Sequence, residues 1–146
     1  MISETVLVLA GAFDQRLDAE RVASAIGRGL AAEGRLDYDL CPLGEDPCVR
    51  VADASEQLHD VDFDRRMRAA RALVIACARF DDRRLAGSVA FEAATRARQG
   101  GVPAYAVTAC DELDRFEARI VDLQVIVEAG TPRALAAAGR KLATVV

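Results

Sequence analysis

ARALVIACARFDDRRLAGSVAFEAATRARQGGVPAYAVTA, residues 70–109, is the stretch on which the fold turns. Ala72-Leu73-Val74-Ile75-Ala76-Cys77 is apolar without interruption, the mark of a strand covered on both faces. Arg84 to Gln99 then reads as a helix with Leu85, Val89 and Phe91 among its apolar positions, closed by Gly100-Gly101. Val102-Pro103 leads into another apolar run, Ala104 to Ala109. Strand, helix and strand at this spacing form a crossover unit of a parallel sheet.

The same alternation extends in both directions. Thr5 to Ala10 reads as a buried strand. Asp18 can cap a helix that runs to about Ala32, with Val22, Ile26 and Leu30 on one face, and Gly34 ends it. Leu36 to Leu43 alternates Leu36, Tyr38 and Leu40 with Asp37 and Asp39, so it predicts an edge or half-exposed strand. Toward the C-terminus, Asp111 starts a short helix with Leu113, Phe116 and Ile120, and Leu123 to Val127 is a fifth strand. Thr131 and Pro132 open a last helix that turns Leu135, Ala138 and Leu142 inward. The segment Gly44 to His59 is irregular, with an extended piece at Val49-Arg50-Val51, and Phe63, Met67 and Ala70 follow at helical spacing.

These elements predict one α/β domain over residues 1–146, Rossmann-like or flavodoxin-like. It would be a doubly wound parallel sheet of about five strands with helices on both faces. Ligands of such sheets bind outside the carboxyl ends of the strands. The loops at that edge are Gly11–Leu17, Pro42–Pro47, Cys77–Gly87, Ala109–Glu112 and Glu128–Thr131.

Composition narrows the function. Hydrophobic residues make up 52% and charged residues 29% of the 146, which excludes a disordered chain. Much of the apolar share is alanine, aromatics are 5% and tryptophan is absent, so Val, Leu, Ile and Ala must build the core. A net charge of −4 disfavours nucleic acid as a partner. No run approaches the roughly 20 apolar residues that cross a bilayer. The apolar run Val6–Phe13 is preceded by Glu4 and no basic residue, so it reads as a first strand rather than a secretory signal, and a cytoplasmic location is expected. Cys41, Cys48, Cys77 and Cys110 fit no zinc spacing and are expected to be free thiols.

Two stretches resemble the bacterial glycerate kinase family, which phosphorylates glycerate with ATP. The first is VLVLAGAFDQRLDAERVASAIGRGLAAEGRLDYDLCPLGED, Val6 to Asp46. Family members there read as an apolar strand, D-S-F-K-G-S-L, a helix, and a strand ending P-L-A-D-G-G-E-G-T. The second is Ala70 to Ala109, which is similar to the family's A-D-L-V-I-T-G-E-G-R-L-D-G-x-S-L-x-G-K followed by a helix and a G-V-P strand. The closing TPRALAAAGRKLA helix fits the same family. The family inserts a second domain between the two stretches, and here residues 47–69 stand in its place.

The resemblance implies the family's Rossmann-like domain alone, with altered chemistry. Phe13 and Leu17 keep the first motif's apolar positions, while its Asp, Ser, Lys and Gly are replaced by Gly11, Ala12, Asp14 and Gln15. The second motif keeps Pro42 and Leu43 but has Gly44-Glu45-Asp46-Pro47 for its glycine-rich turn. The third keeps Arg79, Asp81, Leu85 and Gly87, with Ala76-Cys77-Ala78 for Gly-Glu-Gly and Ser88 for Lys. Phosphoryl transfer needs cations, Mg²⁺ ligands and free backbone N–H groups. Asp14 reverses a charge, Pro47 lacks an N–H, and the sole lysine, Lys141, lies in the last helix.

The expected function is therefore non-catalytic, in small-anion or ligand binding or in protein assembly. The ligand-binding candidates are Arg79, Asp81, Gly87 and Phe13, and no catalytic or metal-binding residue is assigned. Arg79 could grip a carboxylate or phosphate as a fork, or it could simply pair with Asp81. A homodimer or a partner protein is expected to cover the surface that once faced the lost domain. One alternative is a residual ATP-dependent glycerate kinase completed by another chain, which would require ATP and Mg²⁺. The other is a thiol or metal site at the strand ends, where Cys41, Cys77 and Cys110 fall. His59 and the faces carrying Arg65, Arg66, Arg68, Arg96 and Arg98 are expected to be solvated, His59 in a loop.

Overall fold

Thr5–Ala10 forms β1, and the residues Val6 to Ala10 have no solvent exposure at all. The reason is its place in the computed structural model, which describes residues 3–114, 116 and 121–146. β1 lies between β2 (Asp37–Pro42) and β3 (Ala72–Asp81), and β4 (Ala104–Glu112) and β5 (Leu123–Glu128) follow. The order is β2-β1-β3-β4-β5 with every pair parallel, which is the flavodoxin-like arrangement. The chain reverses its direction of travel across the sheet between β1 and β3. β2 is an edge strand, as expected, but its exposure does not alternate: Asp37 and Tyr38 are both exposed, Tyr38 at 43% although it shares a side with Leu36 and Leu40 in the sequence pattern.

One face of the sheet carries α1 (Ala19–Leu30) and, from the far end of the chain, α6 (Pro132–Ala143). Asp18 and Thr131 cap them by accepting from Arg21 N and Ala134 N. The two helices touch backbone to backbone. A Cβ added at Gly139 would lie 2.3 Å from Ile26 O, and one at Gly29 would lie 2.0 Å from Ala136 O. Alanine and glycine are therefore abundant here because small side chains let the helix axes approach. Val6, Val8, Val22, Ile26, Leu135 and Leu142 fill the layer beneath.

The opposite face carries α2 (Ala54–Asp60), α3 (Phe63–Arg68) and α5 (Val89–Gln99), packed on Leu7, Leu9, Leu73 and Ile75 through Leu58, Phe63, Met67 and Val89. Several boundaries differ from those expected. The predicted helix Arg84–Gln99 is broken: α4 spans Asp82–Leu85, Gly87 turns with φ +78°, and Ser88 caps α5 by accepting from Phe91 N at 3.1 Å. The stretch 44–59 is not wholly irregular, since α2 forms inside it and contains His59, which is exposed on a helix rather than in a loop. β3 and β4 run on to Asp81 and Glu112, past Cys77 and Ala109, because they keep pairing through Arg79↔Cys110 and Asp81↔Glu112. Asp111 thus lies within a strand, next to its last residue, rather than starting a helix; Phe116 is exposed, and Ile120 lies outside the described residues.

Two of the expected solvated arginines are structural. Arg66 has a side chain only 20% exposed and forks Asp39 through Nε at 2.9 Å and Nη2 at 2.7 Å. It also donates to Leu40 O and Val61 O, tying α3 to the edge strand. Arg96 spans Glu92, Asp64 and Ser55, joining α5, α3 and α2. Among the described residues, no helix is long and apolar enough to cross a membrane.

Candidate functional site

The switch point between β1 and β3 is where this topology places ligands, so the loops there define the site to be tested. After β1 the chain turns through Gly11–Leu17 into α1. In that loop the N–H groups of Arg16 and Leu17 both donate to Asp14 Oδ1, each at 2.8 Å. Phe13 N donates to Leu17 O at 2.8 Å. The loop is thus wrapped around its own carboxylate. A cluster of backbone N–H groups ahead of a helix is the usual seat of a phosphate, and Asp14 supplies the anion from within.

A second segment lies over the switch point. Pro47, buried, rests on Gly11, where an added Cβ would come within 2.3 Å of Pro47 Cδ. Gly11 is required by that approach, and its own N–H is spent on Ala76 O at 2.9 Å. The strap continues into Cys48, which is bonded to Cys77 of β3. The expectation of free thiols is therefore wrong for this pair, although Cys41 and Cys110 are free. The sulfurs meet because the strap folds back over Cys77 within β3, a placement that needs the strand order to be known. Closing a loop across a sequence separation of 29 removes unfolded-chain entropy worth about 3–4 kcal/mol.

Further tethers run from the strap to the segment after β3. Ala90 N donates to Pro47 O at 2.7 Å and Val51 N to Gly87 O at 3.2 Å. Arg50 Nε donates to Ala86 O at 3.1 Å, and Arg84 pairs with Asp46 at 2.9 Å. Gly87, a predicted ligand contact, instead makes the left-handed turn against which Arg50 packs.

Arg79 and Asp81 do come together, on the last residues of β3 rather than in a loop beyond it. Arg79 Nη2 donates to Glu112 Oε2 at 2.7 Å, and Arg79 Nε lies 3.4 Å from Asp81 Oδ2. Asp81 also caps α4 by accepting from Arg84 N at 3.0 Å. Two carboxylates therefore hold the guanidinium that was expected to hold a ligand. Their bonds keep the Glu112 carboxyl below its ordinary range, first through Arg79 and then through Cys110. Cys110 Sγ donates to Glu112 Oε1 at 3.2 Å, which pushes that thiol up and keeps it protonated. Burial does the same to Cys41. Phe13, the fourth candidate, packs on the α1/α6 side of the sheet and takes no part in this cluster.

The chain's likeness to other proteins is confined to shape. No protein-family model matches it, and no curated protein does. A conserved protein from Enterococcus faecalis V583 has a similar structure, with a TM-score of 0.55 and 13% identity, over 96% of this chain and 99% of that one. An oxidoreductase from Corynebacterium diphtheriae aligns over 100% of this chain and 98% of its own, with a TM-score of 0.47 and 11% identity. At such identities the first shows the fold and the second adds nothing to it.

The sequence reading had Asp46 and Glu112 in the edge loops but missed their pairing with Arg84 and Arg79, and it missed Cys48 as a partner of Cys77. A signal for Cys48 was present: it directly follows the predicted edge loop Pro42–Pro47, and Cys77 ends the apolar run of the strand predicted at the same edge. Among the described residues, no three His, Cys, Asp or Glu side chains are placed to share a metal ion. Cys77, a member of the trio considered for a thiol or metal site, has its sulfur committed to Cys48.

Proposed function

We propose that this chain is a glycerate-kinase-like α/β domain that has given up phosphoryl transfer and acts through binding or assembly. The observation that carries this reading is the β1–α1 loop closed on Asp14. Asp14 stands at the position where the resemblance places lysine, and it occupies the amides that would otherwise face an incoming phosphate. A nucleotide there meets a resident negative charge, and the neighbouring Pro47 covers Gly11. ATP and Mg²⁺ are then not ligands of this domain.

Calorimetry with ATP·Mg²⁺ and with glycerate tests the reading. The expected result is no saturable binding tighter than about 1 mM for either. Transfer of the terminal phosphate to glycerate by the purified chain would overturn it.

Between the two forms of binding, the geometry favours assembly over a small anion. Arg79 is already paired with Glu112 and Asp81, so an anion would have to displace a carboxylate to reach it. The partner is then a second copy or another protein. Sedimentation at micromolar concentration separates these, with a dimer expected if the partner is a second copy and a monomer leaving a different protein.

A further inference from the structure

We propose that Cys48–Cys77 is a reversible redox site whose disulfide latches the strap of residues 44–53 over the β1/β3 switch point. The regulation it provides concerns the strand-end face, and only the use made of an opened face rests on the binding reading above.

The argument begins with what the bond joins. Cys77 belongs to the rigid sheet, one residue beyond Ala76, whose carbonyl holds Gly11 N. Cys48 belongs to a segment whose described sheet pairing is one isolated bridge, Arg50 with Ser88. The other polar tethers described above run mostly to residues 84–90, which form a short helix, a left-handed turn and a cap rather than a continuous element. Strap and 84–90 segment therefore close on each other like two halves of a clasp. The disulfide is the covalent tie of that clasp to the sheet.

What lies beneath the strap is consistent with an opening. Gly11 has no side chain, so movement of Pro47 would uncover backbone just beyond β1. The bond joins an irregular segment to the edge where such sheets take ligands.

The chemistry is a two-step exchange with a dithiol as reductant. A thiolate of the dithiol attacks Cys48 Sγ, breaking the Cys48–Cys77 bond and releasing Cys77 as a thiolate that takes a proton. The second thiol of the dithiol then breaks the mixed disulfide and releases Cys48. Two electrons and two protons pass to the cysteines, and the dithiol leaves as a disulfide. Both sulfurs are buried, Cys48 at 1% and Cys77 at 0% exposure, so attack follows transient lifting of the strap.

Hydrogen exchange on the full chain, oxidised and then reduced with excess dithiothreitol, tests the latch. The mass gain of two hydrogens confirms reduction. The amides of Cys48, Val51 and Ala90 are expected to exchange at least tenfold faster after reduction, with those of β1 and β3 unchanged. Trypsin should then cut after Arg50. Oxidation should restore both readouts, and Cys48→Ser should show the open pattern without reductant. Unchanged strap exchange in fully reduced protein overturns the proposal. So does simultaneous loss of protection across the sheet, which would make the bond a structural staple. No ligand enters these measurements, so failure of the latch leaves the binding reading standing, and failure of the binding reading leaves the latch.

Discussion

The two faces of the sheet are held by different means. On one, α1 and α6 cross so closely that Gly29 and Gly139 meet opposing backbone. The cohesion there is contact packing along two regular helices. On the other, the long α5, two short helices and a strap share a buried cluster, and the short pieces are joined to it by long-range bonds: Cys48–Cys77, Arg66–Asp39, and Arg96 with Asp64 and Ser55. Regular helices can hold a layer by shape. Short ones bury too little each and are fastened by bonds between distant residues.

The sharpest way to break the contrast is a side chain at the helix crossing. Gly139→Leu would set its Cβ 2.3 Å from Ile26 O and 2.9 Å from Leu30 N, both backbone atoms that cannot swing aside. The expected loss is about 3 kcal/mol or more, read as a lowered urea midpoint. A near-wild-type midpoint would mean that the two helices can separate freely, and the packed face would not be packed in the sense argued.

On the fastened face the largest single ion pair is Arg66 with Asp39. Arg66→Ala leaves a half-buried carboxylate without its fork and frees the carbonyls of Leu40 and Val61. The partial exposure of the pair, 20% and 35%, limits the expected loss to about 1–3 kcal/mol. Urea unfolding of the oxidised protein is the measurement. A loss equal to that of Gly139→Leu would erase the ranking of the two faces.

The contrast also decides what could be read from the sequence. The buried run of β1, the alternation of β2, and the apolar spacing of Val22, Ile26 and Leu30 are local signals, and the fold with its caps at Asp18 and Thr131 followed from them. The close approach of Gly29 to α6 did not, because nothing local says that the first and last helices are neighbours. Likewise Arg66 and Asp39 are 27 residues apart, and Cys48 and Cys77 are separated by 29. Each pair meets across all or part of residues 44–59, the stretch whose sequence shows no clear period. Arg79 with Asp81 was legible because the residues are close in sequence, but its controlling partner Glu112 became visible only through the register of β3 with β4.

A smaller effect is expected at the strand ends, and its sign follows from one hydrogen bond. The Glu112 carboxylate accepts from Cys110 Sγ and favours the thiol over the thiolate, with Arg79 opposing it. A raised thiol pKa means less thiolate at pH 8, and the deficit disappears only above that pKa. Glu112→Gln removes the charge, so iodoacetamide labelling of Cys110 at pH 8 should accelerate by roughly three- to tenfold, as thiolate sets the rate. Mass spectrometry of the Cys110 peptide separates it from buried Cys41. Unchanged labelling would show that the thiol does not use this bond.

The smallest effect is expected where the sequence pointed most directly to a ligand. Arg79 and Glu112 have side chains 48% and 46% exposed, and solvent screening leaves a pair so open to water with little effect on stability. Asp81 keeps its cap on α4 without Arg79, since that bond comes from Arg84 N. Arg79→Ala should therefore leave the urea midpoint nearly unchanged, with any shift slightly greater at low salt than at high salt, where exposed charges are screened. If Arg79 instead grips a small anion, phosphate should raise the thermal midpoint of the wild type and leave Arg79→Ala unmoved. Two carboxylates already stand on the guanidinium, so no such phosphate effect is expected; its appearance would move this edge from the assembly reading to the anion-binding one.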